Sequence, residues 1–192
     1  WGAARGLQHA LMLTLGTGVG GGILAGGQIL RGATGVAGHL GHYTIDADGP
    51  LCICGNRGCL ETYFSSKAIE SEARALVHRG VPTALTLEST CADVFAAAAN
   101  GDEPAREVIA MAVRRLAGAV AGLFLIFDPE VLILGGQIAG AGLILTAPLR
   151  EEVAKRTRLM LRRDVPIVAS QVAGQTGIIG AAALVQTRLD AA

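Results

Sequence analysis

The chain has 192 residues, with 16 Lys and Arg against 16 Asp and Glu, so its formal net charge is 0. This balance argues against a basic surface that binds nucleic acid. Hydrophobic residues make up 51% and charged residues 17%, which excludes a disordered chain and predicts a buried core. The apolar run 116–127 is shorter than the roughly 20 residues of a membrane span, and residues 1–10 do not resemble a signal peptide.

Apolar periodicity, capping residues and glycines divide the chain into alternating strands and helices. The predicted elements are a strand at 9–15, a glycine-rich segment at 16–22, a hairpin at 23–30 with a Gly26-Gly27 turn, an irregular insert at 31–61, helices at 65–80, 90–100 and 102–127, a buried strand at 131–134, a helix near 142–158, a strand at 165–170 and a helix at 177–188. This order favours an α/β fold with a mixed sheet flanked by helices. Glycine-rich turns after two of the strands predict a ligand at the strand ends.

The clearest chemical signal is a set of one histidine and three cysteines, His42, Cys52, Cys54 and Cys59. One imidazole and three thiolates form a complete tetrahedral Zn²⁺ ligand set with no open position, so the predicted zinc is structural. The predicted zinc-binding insert spans residues 39–61 and has no core of its own, so a metal would supply its folding energy. The alternative is three buried free cysteines with an incidental histidine. Clustered cysteines in this arrangement also indicate a reducing, cytoplasmic location.

The glycine-rich segment is a second signal. Backbone N–H groups of Gly16, Thr17 and Gly18 could converge on a phosphate, and Thr17 adds a hydroxyl donor. No Lys-Ser/Thr pair follows, so the segment is not a Walker A loop. A glycine-rich hairpin bend is an equal alternative, and Gly135-Gly136 alone is typical of a tight turn after a strand.

Polar side chains beside the predicted metal form a third signal. His39, His42 and Glu61 could hydrogen-bond sugar hydroxyls, and a metal at Cys59 would fix the direction of Glu61. The alternatives are a solvated loop histidine and a surface carboxylate at a helix start. Cys91 lies outside the cluster and is predicted to be a small core residue.

Three stretches together resemble one known family. They are residues 14–61, TLGTGVGGGILAGGQILRGATGVAGHLGHYTIDADGPLCICGNRGCLE, residues 127–136, FDPEVLILGG, and residues 177–184, GIIGAAAL. On these stretches the chain resembles the ROK family, whose name stands for repressors, open reading frames and sugar kinases. The resemblance covers nearly the whole of residues 1–192, as a C-terminal ROK domain of a longer protein.

The resemblance implies an actin-like, ribonuclease-H-like ATPase fold and, in the kinase members, transfer of the γ-phosphoryl group of ATP to a sugar hydroxyl. It implies Mg²⁺ with the ATP, structural Zn²⁺ and a homodimer. The implied nucleotide-binding residues are Gly16, Thr17, Gly18, Gly135 and Gly136. The implied zinc ligands are His42, Cys52, Cys54 and Cys59, and the implied sugar-binding positions are His39, His42 and Glu61.

Two departures limit what the resemblance implies. Kinase members carry a sugar-binding Glu three residues before the zinc histidine, where this sequence has His39. A neutral histidine can donate or accept a hydrogen bond, so this exchange could change the sugar or mark a sensing protein. The family's catalytic Asp lies upstream of the stretch resembling residues 1–6, so no catalytic residue is assigned here, and these residues alone are expected to be inactive.

Two function hypotheses follow. The first is a glucokinase-like, ATP-dependent kinase of a hexose or N-acetylhexosamine. The second is the sugar-sensing domain of a ROK transcriptional repressor, which would bind DNA only through an upstream helix-turn-helix domain. A further alternative is that these residues are themselves the native product, a zinc-binding domain without catalysis.

Overall fold

The computed structural model describes residues 2–172 and 175–189. Trp1, residues 173–174 and residues 190–192, which belong to the predicted domain, lie outside the described residues. One mixed sheet has the order β3-β2-β1-β4-β5. Its strands are β1 Ala10–Leu15, β2 Val19–Ala25, β3 Gln28–Ile29, β4 Val131–Gly135 and β5 Ile167–Ala169. The first three strands are antiparallel neighbours, whereas β1-β4 and β4-β5 are parallel pairs.

The sheet confirms the mixed α/β prediction but corrects one boundary. Residues 20–22 were expected in a loop, yet they lie inside β2, opposite residues 12–14 of β1. Their lack of side chains serves packing, because a Cβ at Gly21 would lie 2.8 Å from the carbonyl oxygen of Gly38. Only residues 16–18 therefore form the turn between β1 and β2.

The predicted helices are all present, with small shifts at their ends. They are α1 Ser66–His78, α2 Cys91–Ala99, α3 Glu103–Phe127, α4 Leu143–Thr157 and α5 Thr176–Leu189. Side chains of Ser65, Thr90 and Asp102 accept a hydrogen bond from the first turns of α1, α2 and α3. These caps satisfy backbone donors that have no partner within the helix, which is why the helices begin where they do.

The central helix α3 forms much of the core. It packs against α1, α2 and α4, and its side chains from Val108 to Phe124 include a long buried series. By length and composition alone α3 could cross a membrane, but more than half of its most apolar window is buried inside the fold. This burial is what a core helix of the sheet requires. Cys91 is also buried, and burial raises the pKa of its thiol to about 11, as expected for a core residue.

Candidate functional site

An open cleft of about 450 Å³ lies where β1 and β4 end. Because these two strands are parallel neighbours, their carboxyl ends meet at the same edge of the sheet. Ligands of open α/β sheets bind at such edges. The cleft is lined by Thr14, Leu15, Gly16, Thr17, Gly18, Val19, Gly20, Glu61, Gly136 and Gln137.

The turn Gly16–Gly18, here called the glycine loop, presents unpaired backbone donors in this cleft. The Gly16 N–H donates to the Gly18 carbonyl at 3.0 Å, so it is not available to a ligand. Within the described residues, the N–H groups of Thr17 and Gly18 have no protein acceptor. Two unpaired donors beside the Thr17 hydroxyl can bind an oxygen-rich anion such as phosphate.

The turn after β4 reaches the same cleft. Gly136 lines the cleft, whereas Gly135 is the buried last residue of β4. Gly136 has a φ of +84°, and a Cβ there would lie 2.3 Å from the carbonyl oxygen of Leu15. Glycine is therefore required for the two strand ends to approach each other.

The four predicted metal ligands converge. Nδ1 of His42 lies 3.5 Å from Sγ of Cys52, Sγ of Cys54 lies 3.6 Å from Sγ of Cys59, and all four ligand atoms lie within 4.8 Å of one another. Zn–S bonds of about 2.3 Å and Zn–N bonds of about 2.0 Å place tetrahedral ligand atoms about 3.5–3.8 Å apart. The donor set and its spacing fit one zinc ion.

The surroundings of the cluster shift the pKa values of two of its thiols in opposite directions. Burial, reinforced by the neighbouring thiols, raises the pKa of Cys59 to about 12. The backbone N–H of Asn56 lowers the pKa of the exposed Cys54 thiol. Burial and mutual repulsion disfavour several charged thiolates at this spacing, and a divalent cation at their centre would stabilise the charged form.

Residues 39–61, here called the metal loop, have little regular structure. Two short 3₁₀ turns, Leu40–His42 and Leu60–Thr62, lie at its two ends. Isolated bridges join Thr44 to Cys59 and Leu51 to Arg57. A loop with so little packing of its own depends on attachments to the rest of the protein and on a metal.

One such attachment joins the metal loop to α3. The Tyr63 hydroxyl donates to Oδ2 of Asp46 at 2.7 Å, and Arg115 of α3 lies 3.4 Å from the same oxygen. The Arg115 guanidinium also lies 4.5 Å from the centre of the Tyr63 ring. The Tyr63 hydroxyl, with smaller contributions from the Asp48 N–H and from Arg115, holds the pKa of Asp46 below its ordinary value.

Of the three predicted sugar-binding side chains, only that of Glu61 lines the cleft. Glu61 lines the cleft, where its Oε2 accepts a hydrogen bond from the Val19 N–H at 2.9 Å. His42 belongs to the metal cluster. His39 is exposed, its Nδ1 lies 2.7 Å from the Val36 carbonyl, and its ring stacks on His42 with centroids 6.3 Å apart. Neither histidine is among the residues that line the cleft.

Sequence reasoning missed the contacts that hold the glycine loop. The Val19 N–H bonds to Glu61, 42 positions away, and the Ser66 N–H donates to the Gly16 carbonyl at 2.8 Å. No pattern within a single sequence links positions at such separations. Two features of the sequence lie at these contacts. One is the glycine at position 18, where an added Cβ would lie 2.3 Å from Oε2 of Glu61. The other is the helix start at Ser65.

The chain is similar to proteins of one known family. The model of the ROK family matches residues 1–188. A glucokinase from Thermotoga maritima is 40% identical over 98% of this chain and 62% of its own length. This chain thus spans less than two thirds of that relative.

Two solved structures are similar over most of this chain. A ROK family glucokinase from Streptomyces griseus, in complex with glucose and AMPPNP, superposes with a TM-score of 0.84 at 31% identity, covering 95% of this chain and 62% of that one. A ROK family transcriptional regulator, a homologue of the E. coli MLC protein, has a TM-score of 0.79 at 35% identity, covering 88% of this chain and 43% of that one. The family match over residues 1–188 and these similar proteins show that the chain belongs to the ROK family, whose members include both glucokinases and transcriptional regulators.

Proposed function

We propose that this chain is the C-terminal, nucleotide- and sugar-binding part of an ATP-dependent kinase of a hexose or N-acetylhexosamine. The observation that supports the proposal most directly is the glycine loop. It offers unpaired N–H groups of Thr17 and Gly18 in the same cleft as the carboxylate of Glu61. A phosphate donor and a sugar acceptor could thus lie side by side at one sheet edge.

In this proposal each group of the cleft has a defined task. The N–H groups of Thr17 and Gly18 and the Thr17 hydroxyl donate to phosphate oxygens, on which negative charge develops during transfer. Glu61 accepts a hydrogen bond from a sugar hydroxyl, and Gly136 keeps the second strand end close enough to form the wall of the cleft. Mg²⁺, bound with the nucleotide, supplies charge neutralisation at the phosphates. The family resemblance assigns the base that takes the hydroxyl proton to an Asp outside these residues.

Zinc has a structural task in the proposal. His42, Cys52, Cys54 and Cys59 would hold it with no ligand position left open, so it takes no part in the transfer. Its binding free energy would instead order the metal loop and fix Glu61. A homodimer stays a prediction of the family resemblance, and a cytoplasmic location stays a prediction from the clustered cysteines.

ADP release by the full native chain, with glucose and N-acetylglucosamine as acceptors, tests the proposal. Gly18→Ala provides the sensitive variant, because its Cβ would lie 2.3 Å from Oε2 of Glu61. Gly22→Ala provides the matched control, because its Cβ would meet nothing within 4 Å. We expect kcat/KM to fall by roughly tenfold or more in Gly18→Ala, because the added Cβ displaces the Glu61 carboxylate from the place where the proposal puts it against the sugar, and to stay near wild type in Gly22→Ala. No sugar-dependent ADP release by the wild-type chain would refute the kinase proposal.

The second candidate function is sugar sensing in a transcriptional repressor. The observation that favours it is His39, which stands where kinase members have a sugar-binding Glu and which lies outside the lining of the cleft. Fluorescence anisotropy with operator-like DNA from the protein's own gene region distinguishes the two. Sugar-reversible DNA binding without ADP release would support the repressor, and ADP release without DNA binding would support the kinase.

A further inference from the structure

We propose that Glu61 couples the metal loop to the glycine loop, so that filling the metal site raises the affinity of the glycine loop for a phosphate group. The inference rests on the proposed function for its ligand, a nucleotide phosphate. It assigns to Glu61 a positioning role in addition to the predicted contact with sugar.

The coupling starts from the position of Glu61 in the chain. Glu61 follows the metal ligand Cys59 by two residues, within the 3₁₀ turn Leu60–Thr62. The backbone on both sides is fixed, because the Leu60 N–H donates to the Tyr43 carbonyl at 2.9 Å and the Thr62 hydroxyl donates to the Cys59 carbonyl at 2.8 Å. The place of the carboxylate therefore depends on where Cys59 is held.

The carboxylate then fixes the glycine loop. Its Oε2 accepts a hydrogen bond at 2.9 Å from the N–H of Val19, the residue directly after the loop. The oxygen can come this close because Gly18 has no Cβ, which would lie 2.3 Å from it. At the other end of the loop, the Gly16 carbonyl accepts from the Ser66 N–H at 2.8 Å. Both attachments come from residues 61–66, which follow the last metal ligand.

Two consequences follow for ligands of the cleft. The unpaired donors of Thr17 and Gly18 lie between these two attachments, so their directions depend on the position of residues 61–66. Within the described residues, Oε1 of Glu61 has no hydrogen-bond donor, so it remains available to a sugar hydroxyl. Since coupling of binding equilibria is reciprocal, phosphate bound at the glycine loop would in turn tighten metal binding.

Amide hydrogen exchange by NMR tests the structural link directly, in the zinc-loaded and the EDTA-treated full native chain. We expect the Val19 amide to exchange roughly tenfold faster or more in Glu61→Ala, because a hydrogen bond to the carboxylate is lost. EDTA treatment should have the same effect on wild type. Glu61→Gln keeps an acceptor oxygen and should stay near wild type. Glu72→Ala, an exposed carboxylate on α1, is the matched control, and the Leu13 amide in β1 reports whether each variant is folded.

Binding of AMPPNP by calorimetry tests the effect on phosphate. We expect EDTA treatment to weaken binding about tenfold in wild type and Glu72→Ala, and to have little further effect in Glu61→Ala, because coupled changes are not additive. Two results would overturn the coupling. One is a Val19 exchange rate that changes neither in Glu61→Ala nor on EDTA treatment. The other is an equal loss of AMPPNP affinity on EDTA treatment in wild type and in Glu61→Ala. If Val19 responds as expected but wild type does not bind AMPPNP, the phosphate part of the inference and the kinase proposal both fail, whereas normal AMPPNP binding that is insensitive to zinc refutes the coupling alone.

Discussion

Two glycines of the metal loop provide a matched pair of substitutions. Gly55 and Gly58 both have a positive φ, of +89° and +62°, so alanine at either position costs about 1 kcal/mol of backbone strain. A Cβ at Gly55 would meet no atom within 4 Å, whereas a Cβ at Gly58 would lie 1.6 Å from the carbonyl oxygen of Asp46. The difference between the two variants therefore isolates the close approach of two backbone segments.

The magnitude for Gly58→Ala follows from what must move. Real Cβ atoms essentially never approach closer than 3.0 Å, so the two segments must separate by more than 1 Å. That movement breaks two backbone hydrogen bonds of Gly58, each 2.8 Å long, with Ile45 and Pro50. At about 0.5–1.5 kcal/mol for each bond, plus the strain, we expect a loss of about 2–4 kcal/mol in the free energy of unfolding.

Thermal unfolding and competition for zinc with a chromogenic chelator measure both effects. We expect Gly58→Ala to lower the melting temperature by roughly 5 °C or more and to weaken zinc binding, while Gly55→Ala lowers it by about 2–4 °C and leaves zinc binding near wild type. Equal losses of stability in the two variants would show that the approach of Gly58 to Asp46 does not hold the metal loop.

Three further predictions concern attachments of the fold. Arg115→Met removes an ion pair and a ring contact to the metal loop, so we expect a loss of about 1 kcal/mol in unfolding free energy; the neighbouring Arg114→Met, which removes neither contact, should lose almost nothing in the same denaturant titration. The pKa of Asp102 is held below its ordinary value chiefly by the backbone N–H of Ala84, so its contribution to stability is present above the ordinary pKa of about 3.9 and is lost as the pH falls through the lower folded value. Asp102→Asn keeps a capping oxygen but does not titrate, so its melting temperature should fall less than that of wild type as the pH is lowered. An equal fall in both proteins would contradict this contribution of Asp102. Cys54→Ser should lose the zinc measured by elemental analysis, whereas Cys91→Ser should retain it, and retention by both would argue against the cluster as a zinc site.

The local features of this fold could be predicted from the sequence, and its long-range contacts could not. The apolar run in β4 predicted a buried strand, and the helical periodicity of α3 predicted a core helix, because each pattern matches the geometry of only one kind of element. The glycines at 20–22 were wrongly predicted to lie in a loop, because residues without a side chain occur both in loops and in closely packed strands. In the structure these glycines lie in a strand, because they pair with β1 and because the Gly38 carbonyl lies close to Gly21.

The candidate site divides in the same way. The four metal ligands lie within 18 residues, so their spacing alone predicted a cluster that the structure brings together. Glu61 and Val19 are 42 positions apart, and Arg115 and Asp46 are 69 positions apart. Such pairs form only when the sheet and α3 have placed the segments, so the contact of Glu61 with Val19, on which its proposed second role rests, became visible only in the structure.

Titration of the isotope-labelled full native chain with Mg²⁺ and AMPPNP, followed by NMR, tests the phosphate site most directly. The proposed function predicts the largest amide shift changes at Thr17 and Gly18, whose N–H groups have no acceptor within the described residues, and a smaller change at Gly136, which also lines the cleft. Saturable shifts confined to other parts of the chain, or no shifts at all, would contradict the assignment of the glycine loop as the phosphate-binding element.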